Sequence, residues 1–150
     1  MQQAEFLWAR LEDLSGPQFH QIIAERERVF VVEQDCPYQD ADDLDAVSWH
    51  LIASVEGQLA AYLRIVDPGH KYPEASIGRV LTPKTFRGLG LGQQLMTEAI
   101  AGAQRHYPGL AIRISGQSYL LAFYRAFGFE TVGEEYLEDG IPHFEMLRAA

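Results

Sequence analysis

The sequence predicts a mixed α/β or α+β fold in which helices flank a β-sheet. Two long segments carry apolar residues at helical spacing, and several short apolar runs are rich in β-forming residues. The predicted order is strand, helix, three strands, helix, strand, helix and two strands. The chain has 150 residues, 47% of them apolar, and no repeat, linker or low-complexity tract. We therefore expect a single domain over residues 1–150 with a packed core.

The first elements are a short strand and an amphipathic helix. Phe6 to Ala9 is an apolar run of strand length. A helix is predicted from Pro17 to Val32, because residues of one face recur three and four positions apart. These residues are Phe19, Ile22, Ile23, Arg26 and Phe30. The last turn, Val29 to Val32, is β-branched and leaves the end of the helix open. A polar loop follows from Glu33 to Ser48.

A β-hairpin and a further strand come next. Trp49 to Val55 and Gln58 to Val66 are β-rich, and Glu56-Gly57 between them suits the positive φ of a tight turn. Asp67-Pro68-Gly69 closes the hairpin as a turn. Ser76 to Thr82 is predicted to be the next strand.

The clearest helix is predicted from Gly90 to Tyr107. Six residues line its apolar face: Leu91, Leu95, Met96, Ala99, Ile100 and Ala103. Leu110 to Ser115 is predicted to be a buried strand, and Ser118 is predicted to cap a helix from Tyr119 to Phe127.

Two strands end the predicted order. They run from Phe129 to Tyr136 and from Ile141 to Arg148, and the Glu138-Asp139-Gly140 turn joins them. Gly128, just before the first of them, suits the left-handed position that ends a helix.

The charge distribution indicates an anionic ligand. The formal net charge is −9, which disfavours general binding to nucleic acid. Between Val29 and Leu63 there are seven acidic residues and no Lys or Arg. Between Ala75 and Thr97 there is no acidic residue, but Arg79, Lys84 and Arg87 are present. An acid-free basic stretch in an acidic chain favours an anion bound locally, and the acidic stretch allows a cation elsewhere.

Several protein classes are disfavoured. No apolar run approaches the length of a membrane span, and Met1 to Glu5 does not resemble a signal peptide, so we expect a cytoplasmic protein that binds no membrane. The single cysteine, Cys36, excludes an internal disulfide framework, and we interpret it as a packing residue. The run Asp40, Asp42, Asp43, Asp45 lacks the glycine and closing glutamate of an EF-hand, and no metal is predicted.

The glycine-rich segment Arg87-Gly88-Leu89-Gly90-Leu91-Gly92 lies between a predicted strand and the clearest helix. Glycines let the backbone approach a ligand, and the first amides of a helix have no partner within it. The helix dipole adds attraction for anions, so a pyrophosphate suits this position. The segment lacks the Lys-Ser/Thr of a P-loop and the G-x-G-x-x-G spacing of a Rossmann fold.

These residues resemble those of the GNAT superfamily of acyl-CoA N-acyltransferases. Arg87-x-x-Gly90-x-Gly92 is similar to its Q/R-x-x-G-x-G/A signature, and the segment from Ala122 to Phe129 resembles its A-x-x-F-Y-x-x-x-G-F stretch, with tighter spacing at the front. The element order from Phe6 to Leu147 also follows the family. The resemblance implies a mostly antiparallel sheet, splayed between its fourth and fifth strands.

A narrower resemblance points to the ElaA-like branch. Four segments carry it: Val29 to Asp40, Ile77 to Val80, Gly92 to Met96 and Glu138 to His143. The resemblance does not supply an acceptor. The acceptor could be a small-molecule amine, a protein lysine or a protein N-terminus, and a homodimer is possible.

The resemblance implies acetyl-CoA as co-substrate. The implied cofactor-binding residues are Val80, Leu81, Thr82, Arg87, Gly88, Leu89, Gly90, Leu91, Gly92, Gln93 and Tyr124. Backbone amides around Val80 to Thr82 would polarise the thioester carbonyl. Tyr124 matches the family tyrosine that protonates the departing thiolate. A phenol of pKa ~10 and a thiol of pKa ~8.5 make that transfer nearly balanced.

The base that accepts the amine proton stays open among Glu33, His50, His143, Glu145 and a water chain. Glu33 and His143 are taken forward as base or substrate contacts.

The acidic run allows two interpretations, a solvated loop or a collar for a cationic amine. Asp42 and Asp43 are the candidates for the collar, and Arg79 and Gln117 are further candidate substrate contacts.

Three functions remain in competition. The first is an N-acetyltransferase, and the second is a non-catalytic domain that binds or senses acyl-CoA. The third is another nucleotide-binding enzyme built on an α/β sheet.

Overall fold

Seven strands and three α-helices make up the computed structural model, which describes residues 3–150. The strands are β1 Glu5–Arg10, β2 Ser48–Val55, β3 Gln58–Val66, β4 Ser76–Leu81, β5 Ile112–Gln117, β6 Glu130–Glu138 and β7 Ile141–Arg148. The α-helices are α1 Gly16–Arg26, α2 Leu91–His106 and α3 Leu121–Arg125. Met1 and Gln2, which contribute to the expectation of no signal peptide, lie outside the described residues.

The strands form two antiparallel sheets that touch at one point. The first sheet has the order β1-β2-β3-β4, and the second has the order β5-β7-β6. Ala75 and Ile112 form a single parallel bridge between them, and the Arg113 amide donates to the Ala75 carbonyl at 2.9 Å. Beyond this bridge β4 and β5 diverge. The predicted splay between the fourth and fifth strands is confirmed. It opens a gap that is bordered by the facing edges of the two sheets.

The first predicted helix changes type along its length. Ser15 begins α1 with a capping box, in which its hydroxyl accepts from the Gln18 amide and its own amide donates to the Gln18 side chain. The α-helix ends at Arg26, and residues Glu27–Glu33 continue as a π-helix. The sequence placed this segment correctly but not its geometry. π-Helical turns are rare and occur often at functional sites.

Helix α2 packs on the first sheet through the face that the sequence predicted. Leu91, Leu95, Met96, Ala99, Ile100 and Ala103 are all buried. Only glycine fits at position 102 of this helix, because the indole of Trp8 packs against it. A Cβ at this position would lie 2.1 Å from Cζ2 of Trp8. At 16 residues α2 is the longest helix described. None of the helices within residues 3–150 has the length and hydropathy to cross a bilayer.

The second half of the chain departs from prediction at several places. Helix α3 covers only Leu121–Arg125 of the predicted Tyr119 to Phe127, and β6 runs to Glu138 rather than Tyr136. Strand β5 starts at Ile112 rather than Leu110. Ser118 does not cap a helix. It opens a 3₁₀ turn before the short α3, and its hydroxyl donates to Glu135 at 2.7 Å. Gly128 has φ +91° after α3, as predicted.

The two tight hairpin turns have the backbone that their sequences indicate. Glu56-Gly57 joins β2 to β3 with φ values of +50° and +77°. Asp139-Gly140 joins β6 to β7 with φ values of +53° and +77°. Positive φ at both central residues matches the right-handed twist of the flanking strands, and the second turn places its residues at the gap.

The predicted polar loop is anchored by buried ion pairs. A 3₁₀ helix, Asp43–Val47, lies within it. Arg26, fully buried in α1, donates to Asp40 at 2.6 Å and to Asp45 at 2.7 Å. Arg64, buried in β3, donates to Asp45 at 2.9 Å and to Asp42 at 2.6 Å. The interpretation of this run as a solvated loop is therefore wrong for three of its four carboxylates, because arginines from distant elements neutralise them.

Candidate active site

The gap between β4 and β5 holds a pocket of about 550 Å³. One wall is β4 from Ile77 to Leu81 together with the π-helical segment. The opposite wall is the end of β5 with α3, and the β6–β7 turn closes one side. Because the two strands separate here, backbone that would otherwise pair in a ladder faces the pocket.

Strand β4 carries a bulge beside this pocket. Its pairing with β3 runs from Arg64↔Gly78 to Tyr62↔Leu81, so two residues of β4 oppose one of β3. Arg79, within the bulge, has φ +54°. A bulge leaves the extra residue without a ladder partner and turns its backbone. The backbone N–H and C=O groups around Val80 are therefore not all paired with β3, and this part of β4 lines the pocket.

The glycine-rich segment leads from the pocket to the N-terminus of α2. Thr82 and Arg87 line the pocket, and the glycines follow directly. Gly88 and Gly90 have φ values of +81° and +78°, in the region that favours glycine. Gly90 is the N-cap and no side chain caps the helix. The first turn contains no acidic residue, so its amides and the helix dipole suit an anion.

Arg87 ties this segment to the pocket wall formed by β4 and the π-helix. Its Nε donates to the Thr82 carbonyl at 2.8 Å, and its Nη2 donates to Glu33 at 2.8 Å. Glu33 is the last residue of the π-helix, so the ion pair joins the glycine-rich segment to that helix. Both side chains are exposed enough for the pair to contribute only about 0–1 kcal/mol. The structure thus brings together two residues that the sequence named separately.

Tyr124 enters the pocket from α3. The residue is 7% exposed, and its ring packs edge-on against Phe123 and Phe129. No group within residues 3–150 hydrogen-bonds its hydroxyl. Burial, with a smaller contribution from Tyr119, raises the pKa of Tyr124 to about 12. The phenol is therefore protonated at neutral pH and is available as a donor.

Of the four candidate bases, the structure brings two to the pocket. Glu33 and His143 line it. His50 lies inside the first sheet, where its ring nitrogens bond the Tyr62 hydroxyl at 2.6 Å and the Asp45 carbonyl at 2.9 Å. Glu145 accepts from Arg113 at 3.0 Å and does not line the pocket. His50 is a wrong candidate because it is buried away from the pocket. Glu145 shares the face of β7 with His143, but its carboxylate is paired with Arg113 and does not line the pocket.

The candidate substrate contacts divide in the same way. Arg79 and Gln117 line the pocket, whereas Asp42 and Asp43 do not. Asp42 is paired with Arg64 and lies 3.4 Å from Arg79, and Asp43 is exposed to solvent. A collar of these two carboxylates around a cationic amine is not formed. Arg79 is itself held by Asp40 at 2.9 Å, so its charge is balanced.

Sequence reasoning missed two pocket-lining residues, Ser115 and Glu138, and Tyr136, which hydrogen-bonds Ser115. Ser115, Tyr136 and Glu138 lie around His143 on the three strands of the second sheet. The alternation of Tyr136 and Glu138 along β6, ahead of a two-residue turn, was the available signal.

Cys36 also lines the pocket, and its thiol lies 3.8 Å from the Asp139 carbonyl. Among residues 3–150, no group of three or more His, Cys, Asp or Glu side chains is arranged to hold a metal ion.

Comparison with known proteins supplies a family. The family model for the acetyltransferase (GNAT) domain matches residues 16–149. A UPF0039 protein of Synechocystis is 47% identical over 93% of this chain and 92% of its own length. The protein ElaA of Escherichia coli is 40% identical over 91% of this chain and 90% of its own length.

Solved structures agree with these relatives. An acyl-CoA N-acyltransferase from Pseudomonas aeruginosa superposes with a TM-score of 0.93 at 42% identity, over 97% of this chain and 99% of that one. The crystal structure of Escherichia coli ElaA gives a TM-score of 0.91 at 37% identity, with the same coverage.

Proposed function

Because the chain belongs to the GNAT acetyltransferase family, and within it to the ElaA-like branch, we propose that it is an N-acetyltransferase. It moves the acetyl group of acetyl-CoA to a primary amine by direct attack, with both substrates bound together. The observation that carries the proposal is the placement of Tyr124. A buried, protonated hydroxyl faces the gap between β4 and β5, and a helix N-terminus suited to an anion lies beyond it.

The donor substrate would lie along the gap. The amides of Leu91, Gly92 and Gln93 suit its pyrophosphate, because the α2 N-terminus has no side-chain cap. The bulged part of β4 would direct backbone amides at the thioester carbonyl. Donors fixed toward a developing negative charge act strongly in a site that excludes water. Acetyl-CoA supplies the activated acyl group.

Tyr124 would act as the general acid. When the C–S bond breaks, the thiolate needs a proton, and a phenol held neutral by burial can donate it. The hydroxyl makes no hydrogen bond to any group of residues 3–150 that its removal would break. Its removal should therefore affect turnover far more than folding.

The test is an acetyl-CoA turnover screen across small amines, polyamines and lysine peptides, followed by thiol release. Tyr124→Phe should lower kcat by roughly 10²–10⁴-fold, with unchanged CoA affinity in calorimetry and an unchanged melting temperature. Phe123→Leu, at the neighbouring position, controls for altered packing. Unchanged turnover in Tyr124→Phe would remove the proposed role of this residue.

The same measurements separate the alternatives. CoA binding without turnover on any amine would identify a non-catalytic acyl-CoA-binding domain. Preference for ATP or NAD over CoA in the calorimeter would identify a different nucleotide-binding protein.

A further inference from the structure

Four polar side chains of the second sheet form a connected cluster, and Ser115, Glu138 and His143 among them line the pocket. Ser115 of β5 hydrogen-bonds the Tyr136 hydroxyl and donates to Glu138 Oε1 at 3.1 Å. Glu138 Oε2 lies 3.4 Å from Nε2 of His143, a residue that is 6% exposed. The rings of Tyr136 and His143 stack with centroids 6.1 Å apart. We call these four residues the polar cluster.

The polar cluster and Tyr124 reach the pocket from opposite faces of β5. Side chains alternate along a strand, so Ser115 and Gln117 share one face and Gly116 has the other. Gln117 pairs with His143 across the sheet. A Cβ at Gly116 would lie 3.0 Å from Cε2 of Tyr124. A thioester in the gap would therefore have a proton donor on one side and the polar cluster on the other.

The hydrogen bonds of His143 define its proton positions. Nδ1 lies 2.7 Å from the Ile141 carbonyl, which can only accept. The neutral ring therefore carries its hydrogen on Nδ1 and a lone pair on Nε2. If Nε2 takes up a proton, that proton can bond to Glu138, and both N–H groups of the imidazolium then have acceptors. The geometry suits a histidine that alternates between two protonation states.

Among residues 3–150, Glu138 is the charged group that pairs with Nε2 of His143, and the other charged groups nearby have other partners. Lys71 and Arg79 interact electrostatically with each other, and Lys71 also interacts with Glu138. Asp139 follows Glu138 in the turn and lies beside Cys36. Glu33, the other candidate base at the pocket, already holds Arg87 at 2.8 Å.

We propose that His143 is the general base of the transfer and that Glu138 is its positioning residue. The inference rests on the function proposed above. The amine enters protonated and gives one proton to Nε2 of His143. Its nitrogen then attacks the carbonyl carbon, the C–N bond forms and the C–S bond breaks. The sulfur takes the Tyr124 proton, the second nitrogen proton restores the phenol, and His143 passes its proton to solvent.

Two kinds of acceptor test this assignment. An alkylamine, the fastest-acetylated of the screen, is protonated at pH 7 and needs a base. Methoxyamine is neutral at pH 7 and has no proton to lose before attack. With the alkylamine, His143→Gln should lower kcat by about 100-fold or more, whereas methoxyamine should lose less than tenfold. Glu138→Gln should show the same selectivity with a smaller loss, and Glu138→Asp should restore part of it.

The pH dependence gives a second readout. In His143→Gln, the rate with the alkylamine should rise about tenfold per pH unit, because only the neutral amine reacts and its fraction rises in that way. The wild type should show a flatter profile. His20→Gln, an exposed histidine on α1, is the matched control and should behave as wild type.

The possible failures are distinct. A wild type that acetylates neither acceptor overturns the proposed function and this inference with it. A wild type that turns over, with equal losses for both acceptors or no loss in His143→Gln, overturns only the base assignment. Should His143→Gln not fold, the same comparison in Glu138→Gln decides, since that side chain is 44% exposed.

Discussion

Asp45→Asn tests whether the buried ion cluster holds the pocket wall in place. Three guanidinium groups, from Arg26, Arg64 and Arg79, face three carboxylates, from Asp40, Asp42 and Asp45. Asp45 is the only one of these carboxylates that pairs with both fully buried arginines. The asparagine side chain of Asp45→Asn is uncharged, so the cluster loses one negative charge and is left with a net charge of +1.

The expected cost follows from what each arginine retains. Breaking a buried ion pair costs about 3–5 kcal/mol when a charge is left without a partner. Here Arg26 keeps Asp40 at 2.6 Å and Arg64 keeps Asp42 at 2.6 Å. We therefore expect the lower end, about 3 kcal/mol, including the lost bond from the Asp42 amide to Asp45.

Urea denaturation followed by circular dichroism measures this change, and Asp43→Asn is the matched control. Asp43 carries the same charge two residues away but is exposed, so its replacement should change the free energy of unfolding by less than about 0.5 kcal/mol. A loss below 1 kcal/mol in Asp45→Asn, or equal losses in both variants, would refute the idea that this cluster stabilises the fold.

Two further outcomes follow from the same structure. Burial alone would raise the pKa values of Asp42 and Asp45, but hydrogen bonds from Arg64 and Arg26 lower them below the ordinary value of 3.8. A lowered folded-state pKa gives stability that is present above pH ~4 and is lost as the pH falls through the folded-state pKa. The wild type should therefore unfold below pH ~4 in an acid titration, and Asp45→Asn should lose stability less steeply over that range. Gly90→Ala forces alanine to φ +78° and should weaken CoA binding in calorimetry and cost about 1–2 kcal/mol of stability. Gly57→Ala, in the β2–β3 turn, imposes the same strain at φ +77° away from the pocket and should bind CoA normally; equal affinities in the two variants would contradict the role of the Gly90 backbone.

Local patterns carried much of the fold and part of the site. The buried face of α2 was predictable because an apolar stripe of helical period must face the core. The Glu56-Gly57 hairpin turn was predictable because its backbone needs positive φ. The glycine-rich segment and Tyr124 stood out through motifs that span only a few residues.

Contacts between distant segments decided the rest. Arg26 appeared in the sequence as one member of a helical face, but its partners Asp40 and Asp45 are 14 and 19 residues away. His143 lines the pocket, whereas His50 is buried between Tyr62 and Asp45, and nothing local to either histidine indicates this difference.

The sequence by itself determined the order of elements, the buried face of the long helix and the glycine-led helix start, because each depends on neighbours within about two turns. Only the tertiary structure decided which carboxylates are neutralised and which polar groups meet at the gap. The ion pairs join side chains far apart in the chain, and the meeting at the gap depends on strand register, since a shift of β7 by one residue would turn His143 to the other face of the sheet.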